Sequence, residues 1–370
     1  MADLNVAASP AATVLAGFLV STDPPPHFAA YHGVLTPTEL DAPEDELEAL
    51  ISGAAVHDLG WLRRVAVRGE DRSRWLSGMV TNMVKDLAPN AGAYNLVLNA
   101  QGRIQGDLMV WRENDDLELE IAADQLEKLM AHLDHFIIMD DVELTVVEDQ
   151  TAIGLAGPKA AEVLSRLGLP VLDGPMTQAR AEWSGTPILL RRGYGVLADH
   201  YAIWTVSTHA GEFWQALGAA GAKPVGSAAL EVFRIAEGIP AYGVDIAERD
   251  LPQETSQLRA LHFNKGCYLG QEIVERIRSR GNVHRHLRSL ELVGPLPEPG
   301  AKLTFEGAEA GHIRSAAELP LRAGSRRFAM GMIRAEAESR DLPLSYSAGE
   351  ASGQAKILAG PPSLSPGVER

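Results

Sequence analysis

A single cysteine occurs in this chain, Cys267, inside the string NKGCYLGQE that runs from Asn264 to Glu272. A thiol reacts or binds metal as the thiolate, and a nearby cation or the free amides of a helix N-terminus favour that form. Lys265 stands two residues before Cys267, and the Gly-Gln-Glu that follows reads as the opening of a helix. The local setting is therefore that of a reactive or ligating thiol. A small apolar side chain packed in a turn, the usual fate of a free cysteine, is the other reading. His262, His284 and His286 are the histidines nearest in sequence, but His-x4-Cys with a distant His-x-His is not a spacing that one turn or helix gathers around zinc, so no metal site is expected.

One cysteine permits neither an internal disulfide nor a cysteine-held cluster, which suits a reducing, cytoplasmic setting. The chain of 370 residues carries 33 basic and 49 acidic side chains, a net charge of −16. That field argues against nucleic acid or an anionic membrane as a direct partner. The basic residues that cluster in RIRSRGNVHRHLR, Arg276 to Arg288, read as a solvated strand or loop. The run AATVLAGFLV is too short to cross a bilayer and no Lys or Arg precedes Arg63, so it is expected to dock on the body as a helix or arm. Loops of the form G-x-x-x-x-G-K-[ST], G-x-S-x-G and H-E-x-x-H are absent.

The elements that must position these residues follow from periodicity. DAPEDELEALISGAAV has helical spacing, WLRRVAVRGED alternates as a strand, and a helix begins near Asp71. AYNLVLN, RIQGDLMVWRE and DLELEIAA form a β-meander, followed by the helix QLEKLMAHLDHF and the strand VELTVVE. A second unit repeats the first: Gly69, Leu76 and Ser77 recur as Gly157, Leu164 and Ser165 after an apolar strand. SAALEVFRIAEG is a helix, and another is predicted to begin at Pro252 with Asp250 as its cap. Short apolar runs after Arg288 predict a β domain, and PPSLSPGVER a disordered end.

FRIAEGIPAYGVDI, LPQET and above all KGCYLGQE resemble the signature of the YgfZ family, folate-binding proteins of iron-sulfur cluster maintenance related to the glycine cleavage T-protein, an aminomethyltransferase. HDLGWLRRVAVRGEDRSRWLSGMVTNMVKDLAPNAGAYNLVLNAQGRIQGDLMVW is similar to the N-terminal part of the same superfamily. The resemblance implies an α+β fold, a three-lobed ring of two intertwined ferredoxin-like α/β units plus a C-terminal β-barrel. Its expected divisions are an N-terminal arm over residues 1–40, a folate-binding core over 41–287, the barrel over 288–357 and a disordered tail over 358–370. It also implies tetrahydrofolate or a one-carbon derivative in the central hole. Asp107 would face the pterin, Asn82 and Asn99 would shape adjoining loops, Tyr194 would line the pocket, and Arg234 would pair with a folate carboxylate.

By the same resemblance Cys267 is the functional thiol, kept partly ionised by Lys265, and the partners are iron-sulfur client enzymes, tRNA-modifying ones included, or assembly proteins. The T-protein has two adjacent acids where this chain has Gly106 and Asp107, and a G-Y-T-G-E-type loop where it reads GYGVLADHY. Both departures favour an accessory factor over an aminomethyltransferase, which remains the alternative.

Overall fold

A computed structural model of the chain describes residues 10–281, 283–322, 324–340 and 342–364. A short helix α1 (Val14–Leu19) is capped by Thr13, whose Oγ1 accepts from the Ala16 amide at 3.0 Å, and buries Leu15 and Leu19. It leads into a hairpin of β1 (His27–Tyr31) and β2 (Val34–Glu39), then α2 (Pro43–Ser52) and β3 (Ala55–Asp58). The part of the expected N-terminal arm that lies within the described residues thus docks through both a helix and a hairpin.

Two α/β units follow with the same element order. The first is β4 (Leu62–Arg68), α3 (Arg72–Met79), β5 (Ala91–Leu98), β6 (Ile104–Glu113), β7 (Asp116–Ala122), α4 (Ala123–Asp134) and β8 (Glu143–Val146). The second is β9 (Gln150–Ala156), α5 (Ala160–Arg166), β10 (Thr177–Trp183), β11 (Thr186–Arg192), β12 (His200–Val206), α6 (Ala210–Ala219) and β13 (Lys223–Val225). Gly69 and Gly157, the repeated glycines, both adopt positive φ, +98° and +111°, at the exit of the first strand of each unit. A side chain there would meet the carbonyl of Asp141 or of Gly53, so glycine is required twice for the same turn.

All these strands except β1 and β2 join one eleven-stranded sheet in the order β13-β3-β9-β12-β11-β10-β5-β6-β7-β4-β8. The units meet where β10 pairs with β5. They differ at the far edges: β8 pairs directly with β4, whereas β3 slips between β9 and β13. A strand that precedes the first unit thus completes the second, which is what intertwines them. Each unit has a core on its helical side, around Trp75, Leu119 and Leu129 in the first and Val163, Ile203 and Phe213 in the second.

The chain continues through α7 (Ser227–Glu237), ended by Gly238 in the left-handed region, and α8 (Gln271–Arg280). The helix predicted at Pro252 is instead a four-residue 3-10 turn, Pro252–Thr255. Asp250 does not cap it. Its fully buried carboxylate accepts from the Ala247 amide, Arg285 and Arg314. A closed six-stranded barrel then forms from β14 (Arg285–Val293), β15 (Lys302–Phe305), β16 (Ala308–Leu319), β17 (Arg326–Arg334), β18 (Leu344–Ala348) and β19 (Ala351–Ile357). It packs on α7 through Ala317, Leu319, Phe328 and Met330. The end of the chain, expected to be disordered, runs against this body over 358–364: the Leu358 amide donates to the Ser289 carbonyl and Leu364 is buried. Residues 365–370 of that expectation lie outside the described residues. No helix among the described residues is long and apolar enough to cross a membrane.

Candidate functional site

Strand alternation decides what faces the middle of the molecule. Along β6, Leu108 and Val110 turn to the helical core, so Asp107, Met109 and Trp111 point the other way. They line a cavity of about 320 Å³ between the two units. Its other walls are Tyr94 of β5, Arg191 and Tyr194 from the second unit, Phe233, Arg234 and Glu237 of α7, and Tyr31 and His32 of the hairpin. His32 stacks on Trp61 with ring centroids 4.2 Å apart, which fixes the hairpin as one wall.

Asp107 is held from both sides. Tyr94 Oη donates to its Oδ2 at 2.8 Å, Gln125 Nε2 donates to Oδ1 at 2.8 Å, and its own amide donates to Gln125 Oε1 at 3.0 Å. Burial pushes its carboxyl above the usual range, against the bonds from Gln125 and Tyr94. A fixed carboxylate between aromatic walls can accept N–H donors from a ligand or take up a proton. Gly106 faces the opposite way, and a Cβ there would stand 2.8 Å from Gln125 Oε1 and from a Leu129 methyl. A second acid at 106 would therefore press into α4 and not into the cavity, so that departure from the T-protein pattern removes nothing from the site.

The remaining expected residues divide. Tyr194 lines the cavity beside Tyr94. Arg234 also reaches it, but its guanidinium is taken up internally: Nε donates to Glu231 Oε2 at 2.7 Å, Nη1 to Asp245 Oδ2 at 2.6 Å and to the Ile239 carbonyl at 3.0 Å. Burial opposes its charge, yet Glu231 and Asp245 hold its pKa above the ordinary value. Where a ligand carboxylate was expected, two acids of the protein already pair with this cation.

Asn82 and Asn99 stand outside the lining and organise turns. Asn82 Nδ2 donates to the carbonyls of Tyr94 at 3.0 Å and Arg259 at 2.8 Å. Asn99 Oδ1 accepts from the amides of Gln101 and Arg103, closing the β5–β6 turn. Gly270, at φ +80°, lies against that turn, where a Cβ would be 2.5 Å from the Asn99 carbonyl oxygen.

The KGCYLGQE string separates into inward and outward residues. Lys265 is buried and its Nζ donates to the carbonyls of Val80 at 2.7 Å and Asn82 at 2.6 Å. Burial pulls its pKa down to about 7, while the two carbonyl acceptors favour the ammonium. Tyr268 is buried beneath it, with the Lys265 Nζ 5.2 Å from the ring centroid. Cys267 is exposed and lies three residues ahead of Gly270, the cap of α8. The expected partnership is thus not formed: the ammonium turns inward onto carbonyls, and the thiol faces solvent. The packing alternative for Cys267 also fails, since the side chain is not buried. The end of the basic run is paired within the protein: Arg285 with Asp250 and Glu254, and Arg288 with Glu338, which also contacts His286 Nδ1. Among the described residues no group of three His, Cys, Asp or Glu side chains is arranged to hold a metal ion.

Several wall residues escaped the sequence reading. Glu237, its side chain fully buried, accepts from the amides of Val196 and Leu197 and from His200 Nε2 at 3.0 Å. Burial works to raise its carboxyl, but His200 and the two amides bring it below the usual range. An acid therefore stands at the loop GYGVLADHY after all, supplied by α7. His57 is held neutral, its pKa lowered to about 3 by burial and by His200, and its Nδ1 is buried without a partner. Arg191, 1% exposed, joins Glu120, Glu118 and Gln178 beneath the cavity.

The sequence model of the GCVT N-terminal domain matches residues 24–265. This chain belongs to that family. The match ends at Lys265, so Cys267 lies just beyond it. A provisionally named chloroplastic transferase of Arabidopsis thaliana is 29% identical over 308 residues, covering 81% of this chain and 69% of that protein. An aminomethyltransferase of Geobacillus kaustophilus is 28% identical over 296 residues, covering 77% and 80%. The crystal structure of the glycine cleavage system aminomethyltransferase T from Bartonella henselae superposes with a TM-score of 0.86 at 20% identity, over 95% of this chain and 98% of that one. The GCVT fold is therefore that of the whole described chain, barrel included.

Proposed function

We propose that this GCVT-family chain is a tetrahydrofolate-binding factor of the YgfZ type, which supports synthesis or repair of iron-sulfur clusters in client enzymes, tRNA-modifying ones among them. The observation that carries the folate part is the cavity around Asp107. A pterin needs flat apolar walls and an acceptor for its N–H edge, and Tyr94, Met109, Trp111 and Phe233 surround a carboxylate fixed by Tyr94 and Gln125. The buried Trp111 Nε1 and His57 Nδ1, both without protein partners, offer further polar contacts for a heterocycle. Tetrahydrofolate, when bound, supplies a one-carbon carrier. Asp107 would hold its donor edge and the aromatic walls would exclude water from it.

The cluster-maintenance part rests on the KGCYLGQE string and on where its cysteine stands. Lys265, Tyr268 and Gly270 each have a structural task, and Cys267, exposed, has none that the described contacts supply. An exposed thiol outside the cavity lining suits contact with a partner, and since one thiol cannot hold a cluster alone, other ligands must come from that partner or from small thiols.

A second reading, a folate-dependent one-carbon transferase, is favoured by the names of the relatives and by the orientation of position 106, which leaves the cavity's acid in place. Equilibrium binding of tetrahydrofolate separates the shared premise from the rest. Wild type should bind, and Asp107→Ala should bind about 10- to 100-fold more weakly, the effect of removing a charged hydrogen-bond acceptor. Equal binding by both would remove Asp107 from the site. Turnover of an aminomethyl donor by wild type, unaffected by Cys267→Ala, would establish the second reading.

A further inference from the structure

With Arg234 and Arg191 neutralised from within, one arginine at the cavity's tyrosine wall stands apart. Arg259 has no acidic partner among the described ion pairs, although the chain carries a net charge of −16. Its guanidinium carbon lies 4.8 Å from the Tyr194 ring centroid and 5.7 Å from that of Tyr94, both residues of the cavity lining. Its carbonyl is fixed by Asn82 Nδ2 at 2.8 Å, and its Nε is buried without a hydrogen-bond partner. A guanidinium stacked on two rings is oriented before any ligand arrives, and a buried N–H left unsatisfied is costly. A pre-oriented guanidinium whose charge no acid offsets among the described ion pairs suits an external anion with two acceptor oxygens, a carboxylate above all.

Tyr94 links this cation to Asp107, since its ring lies under Arg259 while its hydroxyl donates to the carboxylate. A ligand that places N–H donors at one end of Tyr94 and a carboxylate at the other would satisfy both. We propose that Arg259 binds the carboxylate of the ligand's tail, the glutamate of tetrahydrofolate, in the place that Arg234 cannot fill. This inference rests on the folate reading.

The test combines truncation of the ligand with truncation of the residue. Dissociation constants are measured for tetrahydrofolate and for tetrahydropteroate, which lacks the glutamate, on wild type, Arg259→Gln and Arg259→Lys. Wild type should prefer tetrahydrofolate by about 10- to 100-fold. Arg259→Gln should lose that preference while binding tetrahydropteroate as wild type does, and Arg259→Lys should keep part of it, because a point charge remains without the planar fork. Wild type that binds both compounds equally overturns the assignment and leaves the folate reading intact, whether or not Arg259→Gln folds. Equal loss of both ligands in Arg259→Gln also overturns it, in favour of a structural role. Failure of wild type to bind either compound removes the folate reading and this inference with it.

Discussion

The wall around Asp107 and the loop around Cys267 treat their chemically capable side chains in opposite ways. Asp107 is gripped through both carboxylate oxygens and its amide, and every bond comes from the same α/β unit, from β5 and α4. Cys267 is exposed, while the residues on either side of it carry the structure: Lys265 staples the turn after α3, and Gly270 admits the β5–β6 turn. On the proposed function, rigidity would suit a group that receives a ligand of fixed shape, and exposure would suit a group that a second macromolecule reaches. The difference teaches that the string around a cysteine can matter to the fold even where the cysteine itself does not.

That contrast can be broken or sharpened by substitution, beginning with the largest expected effects. Lys265→Met removes the donor from the buried Val80 carbonyl and the part-buried Asn82 carbonyl and should lower unfolding stability by about 1–3 kcal/mol in denaturant titration. A loss below about 0.5 kcal/mol would mean that the staple is not structural. Gly106→Asp forces a side chain into Gln125 and Leu129 and should cost about 1–3 kcal/mol, while bringing no acid to the cavity. Tetrahydrofolate binding that strengthens in this variant would contradict the assigned orientation of position 106.

His57 gives a pH signature of the cavity wall. Its pKa is lowered from 6.5 to about 3, so between those values the unfolded chain binds a proton that the folded chain refuses, and stability must fall as the pH drops through that window. At its steepest the decline is about 1.4 kcal/mol per pH unit. Asp58, pushed up from 3.8 to about 6 by burial, works in the opposite direction over its own window, because there the folded state holds the extra proton. Comparing wild type with His57→Asn isolates the first effect: the variant should show a flatter acid limb below pH 6.5, and parallel curves would mean that His57 is not held neutral. The smallest effect is expected at Cys267, where Cys267→Ala should leave unfolding stability within about 0.5 kcal/mol of wild type.

Much of this architecture could be read from periodicity and punctuation. The β5–β7 meander alternates strictly enough to place Asp107, Met109 and Trp111 on one face, and the paired Gly-to-Ser spacings announced two similar units. What escaped depends on partners remote in the chain. β3 is four residues long and is placed by β9 and β13, nearly a hundred or more positions on, so no local pattern reports it. Arg234 is assigned to a ligand carboxylate by the resemblance alone, and Asp245, which with Glu231 neutralises it, sits in the loop beyond the helix. Asp250 resembled a cap, yet Arg285 and Arg314 of the barrel draw it into the interior, leaving a 3-10 turn where a helix was expected. Spacing alone makes Lys265 a partner for Cys267. Two residues along an irregular turn can face opposite ways, and the nearest carbonyls decided the matter.

The proposed function requires that the exposed thiol act while the cavity binds. The direct measurement is complementation of a bacterial strain lacking its own YgfZ-type protein, with wild type, Cys267→Ala and Asp107→Ala, read through a cluster-dependent tRNA-thiolation enzyme. Rescue by wild type that is lost in Cys267→Ala, with folding and tetrahydrofolate binding of that variant unchanged, is the result predicted. Rescue by Cys267→Ala as complete as that by wild type would contradict it.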